Sequence, residues 1–168
     1  MVAPSREIVY GVGDGRWELG FGPLLHTMPE YFAFHSCFAE TRRLMIARNH
    51  PARAALLRDP QATLRTLPLI TSYLDEPARR PSGDRLRNAF ATVWEVSHMD
   101  LRLALVVEGK GVTYISDLVT QLPEELVPIE GLPFSSIERQ VGVYYRKHQP
   151  LSQAGARFLA LCRERWNA

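Results

Sequence analysis

The sequence predicts a mixed α/β fold, and three observations predict it. Short runs rich in aromatic and β-branched residues recur along the chain and read as strands. Between them lie segments with apolar residues at i, i+3 and i+4, the helical period. Strand, helix, strand, helix, strand is the succession that lays helices on the faces of a sheet. The 168 residues, 46% hydrophobic and 23% charged, suffice for one domain or two small lobes with a real core.

The elements follow in chain order. GVGDG at residues 11–15 reads as a plain turn, because the dinucleotide fingerprint GxGxxG is incomplete and no buried strand leads into it. Residues 17–22 (WELGFG) predict a buried strand with a tight glycine exit, and Pro23 opens a new segment. Residues 31–38 (YFAFHSCF) and 43–47 (RLMIA) predict two further strands, the second ended by Asn49, His50 and Pro51. Short helical patches are expected around residues 54–57 and 63–64. Residues 67–71 (LPLIT) follow as a strand in which Pro68 demands a first or edge position. A polar loop over 75–83 precedes a helix capped by Ser82 or Asp84, with Leu86, Ala89 and Phe90 on one face.

Residues 93–96 then predict a strand, and Ser97-His98-Met99-Asp100 leads into a helix over 101–107 that Gly109 and Gly111 stop. Strands are expected at 112–115, 126–129 and 140–145. The last element is a helix over 151–166 with Ser152 as N-cap and Ala154, Phe158, Cys162 and Trp166 on one buried stripe. On that stripe Cys162 is a small buried hydrophobe rather than a reactive thiol.

The residue inventory disfavours catalysis. Of five histidines none has the HExxH or another metal-ligand spacing, and Cys37 and Cys162 are too few for a cysteine-rich zinc site or a disulfide framework. The hydrolase elbow GxSxG, the Walker loop and the kinase signature set are absent, so no catalytic residue, metal or cofactor is expected. The carboxylate pairs Asp75-Glu76 and Glu124-Glu125 read as solvated. A formal charge of +2 is too mild for a nucleic-acid domain, and no finger spacing or basic heptad is present. The basic set Arg139, Arg146, Lys147, Arg157, Arg163 and Arg165 reads as solvated surface. No run approaches 18 apolar residues and no signal peptide is visible, so a cytoplasmic location without membrane contact is expected.

A module that binds something small between α/β elements fits better. Such sites lie beyond the carboxyl ends of strands, where helix N-termini offer amide donors to anions. Ser97, His98 and Met99, after one strand and before a helix, are the first candidates; the competing reading has Ser97 merely capping that helix. Thr71 and Ser72, after another strand, are the second, and Tyr114 on the strand over 112–115 is the third.

The order of segments resembles the effector-binding domain of LysR-type transcriptional regulators. GRWELGFG at 15–22 is similar to that family's "G…(D/E)LGI" strand, and RLMIARNHP at 43–51 to its strand ending in "HP". LVVEGKGVTYI at 105–115 resembles "LV..G.GI..LP", although Ile115-Ser116 stands where the family has LP. Residues 126–129 and 140–145 resemble its return strands, and 151–162 its closing helix. The resemblance implies a two-lobed, type 2 periplasmic-binding-protein-like sensor. Residues 1–22 and 135–168 would form a partial first lobe and 23–134 the second, with hinges at Gly22, Pro23, Gly131 and Pro133. It implies a small-molecule effector held between the lobes, self-association as dimer or tetramer, and DNA binding only through a winged helix-turn-helix absent from this chain. The family's first strand, helix and second strand of lobe one are also missing, which is expected to leave a sheet edge open and favour pairing with another copy. Two alternatives stay open: a stand-alone solute-binding module of the same architecture, and a small α/β enzyme built around His98, Asp100 and Glu108.

Overall fold

A computed structural model describes residues 5–24, 28–72, 89–132 and 134–166. The expected loop over 75–83, the capping Ser82 or Asp84, Leu86 and the hinge residue Pro133 lie outside the described residues. The chain divides into two compact units, Met1–Glu40 with Glu138–Ala168, and Thr41–Ile137.

In the first unit, α1 (Ser5–Gly13) is followed by β1 (Leu19–Pro23) and the first part of β2 (Phe32–Ala47). The unit is completed by most of β7 (Ser136–Arg146) and by α5 (Gln153–Trp166). β1 pairs antiparallel with β7, from Leu19↔Tyr145 to Pro23↔Val141. Alternation along the strands sends side chains to two cores. Cys37, Val143, Leu159 and Cys162 make one, and Val12, Phe32 and Tyr144 the other.

Helix α1 is a departure from the expected turn. Two glycines lower its intrinsic propensity by about 1 kcal/mol each, but Ile8, Val9 and Val12 reach the core around Phe32 and Tyr144. A Cβ on Gly11 would run into the Trp17 ring, so the bare backbone is what lets the indole lie against the helix. Gly142 is equally constrained: a Cβ there would strike the His35 carbonyl oxygen of β2.

The second unit holds the rest of β2, then α2 (Arg53–Arg58), α3 (Pro60–Leu64), β3 (Pro68–Thr71) and β4 (Thr92–Glu95). It continues through α4 (Met99–Val107), β5 (Thr113–Ser116) and β6 (Leu126–Pro128). β5 and β6 pair antiparallel with β2. β3 and β4 are parallel from Pro68↔Thr92 to Thr71↔Glu95, and a parallel bridge between Leu69 and Val112 joins β3 to the start of β5. Leu44, Ile46, Leu69, Val112 and Tyr114 fill one core; Met45, Ile70, Val106 and Ile115 fill another. His50 accepts from Ala52 N at Nδ1 (3.0 Å), so its Nε2–H donates to Gly109 O (3.1 Å), tying the end of β2 to the exit of α4.

Three expectations are corrected. The strands expected at 31–38 and 43–47 are one strand of 16 residues, β2. Glu40 and Arg42, between the two expected strands, are buried: Glu40 pairs with Arg139, and Arg42 donates to Tyr114 O at 2.7 Å. Gly22 and Pro23 lie inside β1, opposite Gly142 and Val141 of β7, and the compact units divide at 40/41 and 137/138. Gly131, exposed at φ +80°, sits in the second unit ahead of the second boundary.

The third correction concerns α5. Ser152 caps it as expected, its Oγ accepting from Gly155 N at 3.2 Å. The buried residues are Gly155, Leu159 and Cys162, however, while Ala154, Phe158 and Trp166 are exposed. A repeat of four residues drifts around an α-helix of 3.6 residues per turn, whereas alternating steps of four and three stay on one face.

Burial pushes the Tyr144 phenol up to about 12 from 10.0 and raises Tyr114 as well. The fold therefore favours the neutral phenols. Their contribution is complete below pH 10.0, where the unfolded phenol is also neutral, and falls away between pH 10.0 and about 12. Thermal unfolding followed across this range is expected to show a falling midpoint that Tyr144→Phe makes shallower; an unchanged slope in that variant refutes the assignment.

Candidate functional site

The parallel strands of the second unit present their carboxyl ends together. β3 ends at Thr71, β4 at Glu95 and β5 at Ser116. Continuing the register from the Leu69–Val112 bridge sets Thr71 beside Tyr114. Parallel strands with helices between them leave their carboxyl ends as the place for a ligand, because the chain turns away there into helix N-termini.

Thr71 is fully buried, and its backbone carbonyl accepts from Val96 N at 2.8 Å, which holds the exit of β4 against the end of β3. Its Oγ1 is buried without a hydrogen-bond partner among the described residues. A buried hydroxyl costs free energy unless it is bonded, so it is a donor and acceptor in want of a guest. Ser72 follows it, half-buried.

Ser97 and His98 are exposed and Met99 is half-buried at the start of α4. The helix boundary lies at 99 rather than 101. His98, not Ser97, occupies the N-cap position with extended backbone (φ −78°, ψ 122°), and its side chain makes no cap bond. The competing reading, in which Ser97 caps the helix, is thereby excluded. The first-turn amides of α4 have no carbonyl one turn back and retain their capacity for an anion.

Arg102 was missed in the sequence. It lies one turn into α4, only 2% exposed, with its guanidinium donating to Met99 Sδ at 3.2 Å. Arg42, equally buried on β2, reaches the Tyr114 carbonyl near the ends of β3 and β5. The one sequence signal was Arg102 three residues after Met99, one helical turn from the expected anion site.

Tyr114 does not join this group. Its ring is fully buried in the core with Leu44, Ile46 and Val112, and its hydroxyl donates to Phe134 O at 2.6 Å. Ser72, Ser97, His98 and Met99 stand at the carboxyl ends of β3 and β4, with Thr71 beneath them. The donor set of hydroxyls, helix amides and guanidinium suits recognition of a small anion. Among the described residues no group of three or more His, Cys, Asp or Glu is placed to hold a metal ion, and no helix is long and apolar enough to cross a membrane.

Comparison with known proteins follows from this geometry. The family model described as the LysR substrate binding domain matches residues 1–167. No curated protein matches the chain. Among solved structures, the cofactor-binding domain of the Cbl transcriptional regulator superposes with a TM-score of 0.66 at 19% identity, over 96% of this chain and 72% of that one. The Synechocystis PCC6803 CcmR regulatory domain in complex with 2-PG gives 0.67 at 16% identity, over 98% and 81%. HinK, a LysR family transcriptional regulator from Pseudomonas aeruginosa, gives 0.62 at 16%, over 99% of this chain and 59% of that one. At these identities the likeness is one of fold, periplasmic-binding-protein-like, and the chain spans about three fifths of the HinK chain.

Proposed function

The chain belongs to the LysR substrate binding domain family, and from that premise we propose that it is the effector-sensing domain of a cytoplasmic LysR-type transcriptional regulator. Its two compact units correspond to the two lobes that the family resemblance implies. The effector is a small anionic metabolite held at the carboxyl ends of β3 and β4, with Thr71, Ser72, Ser97, His98 and Met99 around it and Arg102 supplying the balancing charge. The domain self-associates, and it modulates transcription together with a DNA-binding segment.

The observation that supports this most is the convergence of three features in the second unit. Among the described residues a helix N-terminus lacks a side-chain cap and a buried hydroxyl at Thr71 lacks a partner, and a buried guanidinium lies one turn into that helix. One of the similar domains, that of CcmR, holds 2-PG, and the holding of a ligand is carried over to this chain as part of the proposal. Effector binding favours one conformation of a sensor over another by the difference in its affinities for the two, which is how a small molecule alters a regulator.

The test is calorimetric titration with inorganic phosphate, sulfate and a panel of short mono- and dicarboxylates, with thermal unfolding in parallel. Saturable binding of at least one anion class, raising the melting temperature with concentration, is expected. A chain that binds none of them, or binds neutral sugars instead, overturns the anionic reading.

A further inference from the structure

We propose that Cys37 and Cys162 are a redox couple, which a hydroperoxide oxidises to one intrachain disulfide tying α5 to β2. The inference goes beyond the effector reading and does not rest on it. Both cysteines belong to the first unit, and the candidate anion site belongs to the second.

The pair is a product of the fold. The chain has two cysteines among 168 residues, far apart in sequence. Cys37 lies on β2 and Cys162 in α5. Both side chains enter one small core with Val143 and Leu159. They are 7% and 3% exposed, and both are free thiols. The Cys162 thiol is in hydrogen-bond contact with that of Cys37. A disulfide needs Cβ atoms about 3.5–4.5 Å apart, so thiols already in contact require side-chain rotation rather than a shift of strand or helix. Each cysteine by itself is an ordinary buried core residue. Side by side, the second thiol can resolve the oxidation product of the first.

The surroundings set the resting state. Burial, and after it the Cys162 thiol alongside, raise the Cys37 thiol above its ordinary value of 9.0. The thiolate is the reactive form, so at neutral pH the couple rests reduced and is oxidised slowly. Leu19, Phe38, Tyr145 and Leu151 pack around the cluster and shut out bulky oxidants. A hydroperoxide is small, and Cys37 keeps the larger exposed area, so Cys37 reacts first.

With hydrogen peroxide the reaction has two steps. The Cys37 thiolate attacks one peroxide oxygen, the O–O bond breaks, and the departing hydroxide takes the thiol proton as water. Cys37 is then a sulfenic acid. The Cys162 sulfur attacks the Cys37 sulfur, the S–O bond breaks as the S–S bond forms, and the oxygen leaves with the Cys162 proton as a second water. The two thiols give up two electrons and two protons, and the peroxide accepts them. The resulting staple closes a long stretch of chain and restricts the unfolded ensemble, which favours the fold. It also fixes α5 to β2, the strand that runs on past 40/41 into the second unit.

The test treats the reduced native chain, freed of reductant, with hydrogen peroxide. Intact mass, peptide mapping without reduction and melting temperature are the readouts. The expected result is a mass lower by two hydrogen atoms and one cross-linked peptide joining Cys37 to Cys162. A melting temperature higher by about 5–10 °C is expected with it, all reversed by dithiothreitol. Cys37→Ala and Cys162→Ala are each expected to show neither cross-link nor rise. Mass and map of the native chain decide the matter even if these variants fail to fold. The proposal is overturned by thiols that survive peroxide in the folded chain and react only in urea. Oxidation of either cysteine alone to a sulfinic or sulfonic acid, a cross-link between two chains, or a disulfide that lowers the melting temperature also overturns it. Phosphate and carboxylate titrations on the reduced chain keep the two readings apart. A disulfide without anion binding removes only the effector reading, and anion binding without a disulfide removes only the redox couple.

Discussion

Tyr114→Ala is expected to destabilise the fold by about 3–5 kcal/mol, the range for removing a large aromatic ring from a packed core. Folded domains are stable by only about 5–15 kcal/mol, so the variant is expected to be partly unfolded at physiological temperature. Tyr114→Phe keeps the ring and removes the bond to the Phe134 carbonyl, and is expected to cost only about 1–2 kcal/mol. Urea unfolding midpoints for the two variants give the order. A Tyr114→Ala variant of native stability that has lost effector binding instead returns Tyr114 to the ligand site and removes it from the core.

Arg102→Met is the second. The replacement is apolar and of similar length and fills the volume of the side chain, but it removes one member of a buried charged contact, so the apo protein is expected to stay folded with a lowered melting temperature. A charge-assisted hydrogen bond contributes about 1.5–3 kcal/mol. The affinity for the anion that the native chain binds best is therefore expected to fall about tenfold to a hundredfold. Arg102→Lys, which keeps the charge but loses the planar fork, is expected to fall between the two. Calorimetric titration of that anion decides the matter. If Arg102→Met binds it as tightly as the native chain, the guanidinium is structural, and the anion site contracts to the amides of α4 and the hydroxyl of Thr71.

Much of the fold was legible because its signals are local. The strands at 19–23, 68–71, 92–95, 113–116 and 126–128 are short apolar runs between glycines, prolines and polar turns, and each lies within a few residues of its expected place. Ser152 announces the start of α5 for a reason contained in one turn: its hydroxyl oxygen accepts the amide of Gly155. The place of the candidate site was legible for a similar reason, since a serine-histidine step between a strand and a helix marks a helix N-terminus.

The misread parts share a different cause. Glu40 and Arg42 resemble a loop when only their neighbours are considered. They lie within β2, where Glu40 pairs with Arg139 and Arg42 donates to the carbonyl of Tyr114, both far away in sequence. Gly11 and Gly13 argue against a helix by propensity, and packing of Val12 against Phe32 and Tyr144 overrides them. Tyr114 was a binding candidate by its place on the strand over 112–115, and only the tertiary structure reveals that its hydroxyl donates to Phe134 O. Arg102 was missed because burial is a property of the finished packing.

By itself the sequence determined the α/β class, the positions of most strands, the family resemblance and the neighbourhood of the helix N-terminus after β4, all of which rest on periodicity, turn chemistry and short motifs. Only the tertiary structure decided which charges are buried, where the units divide, which face of α5 is apolar inward and which outward, and that Arg102 rather than Tyr114 stands beside the helix N-terminus. Such choices follow from contacts between residues distant along the chain. The free energy of a buried charge or hydroxyl depends on the partner it meets there, and no local pattern encodes that partner.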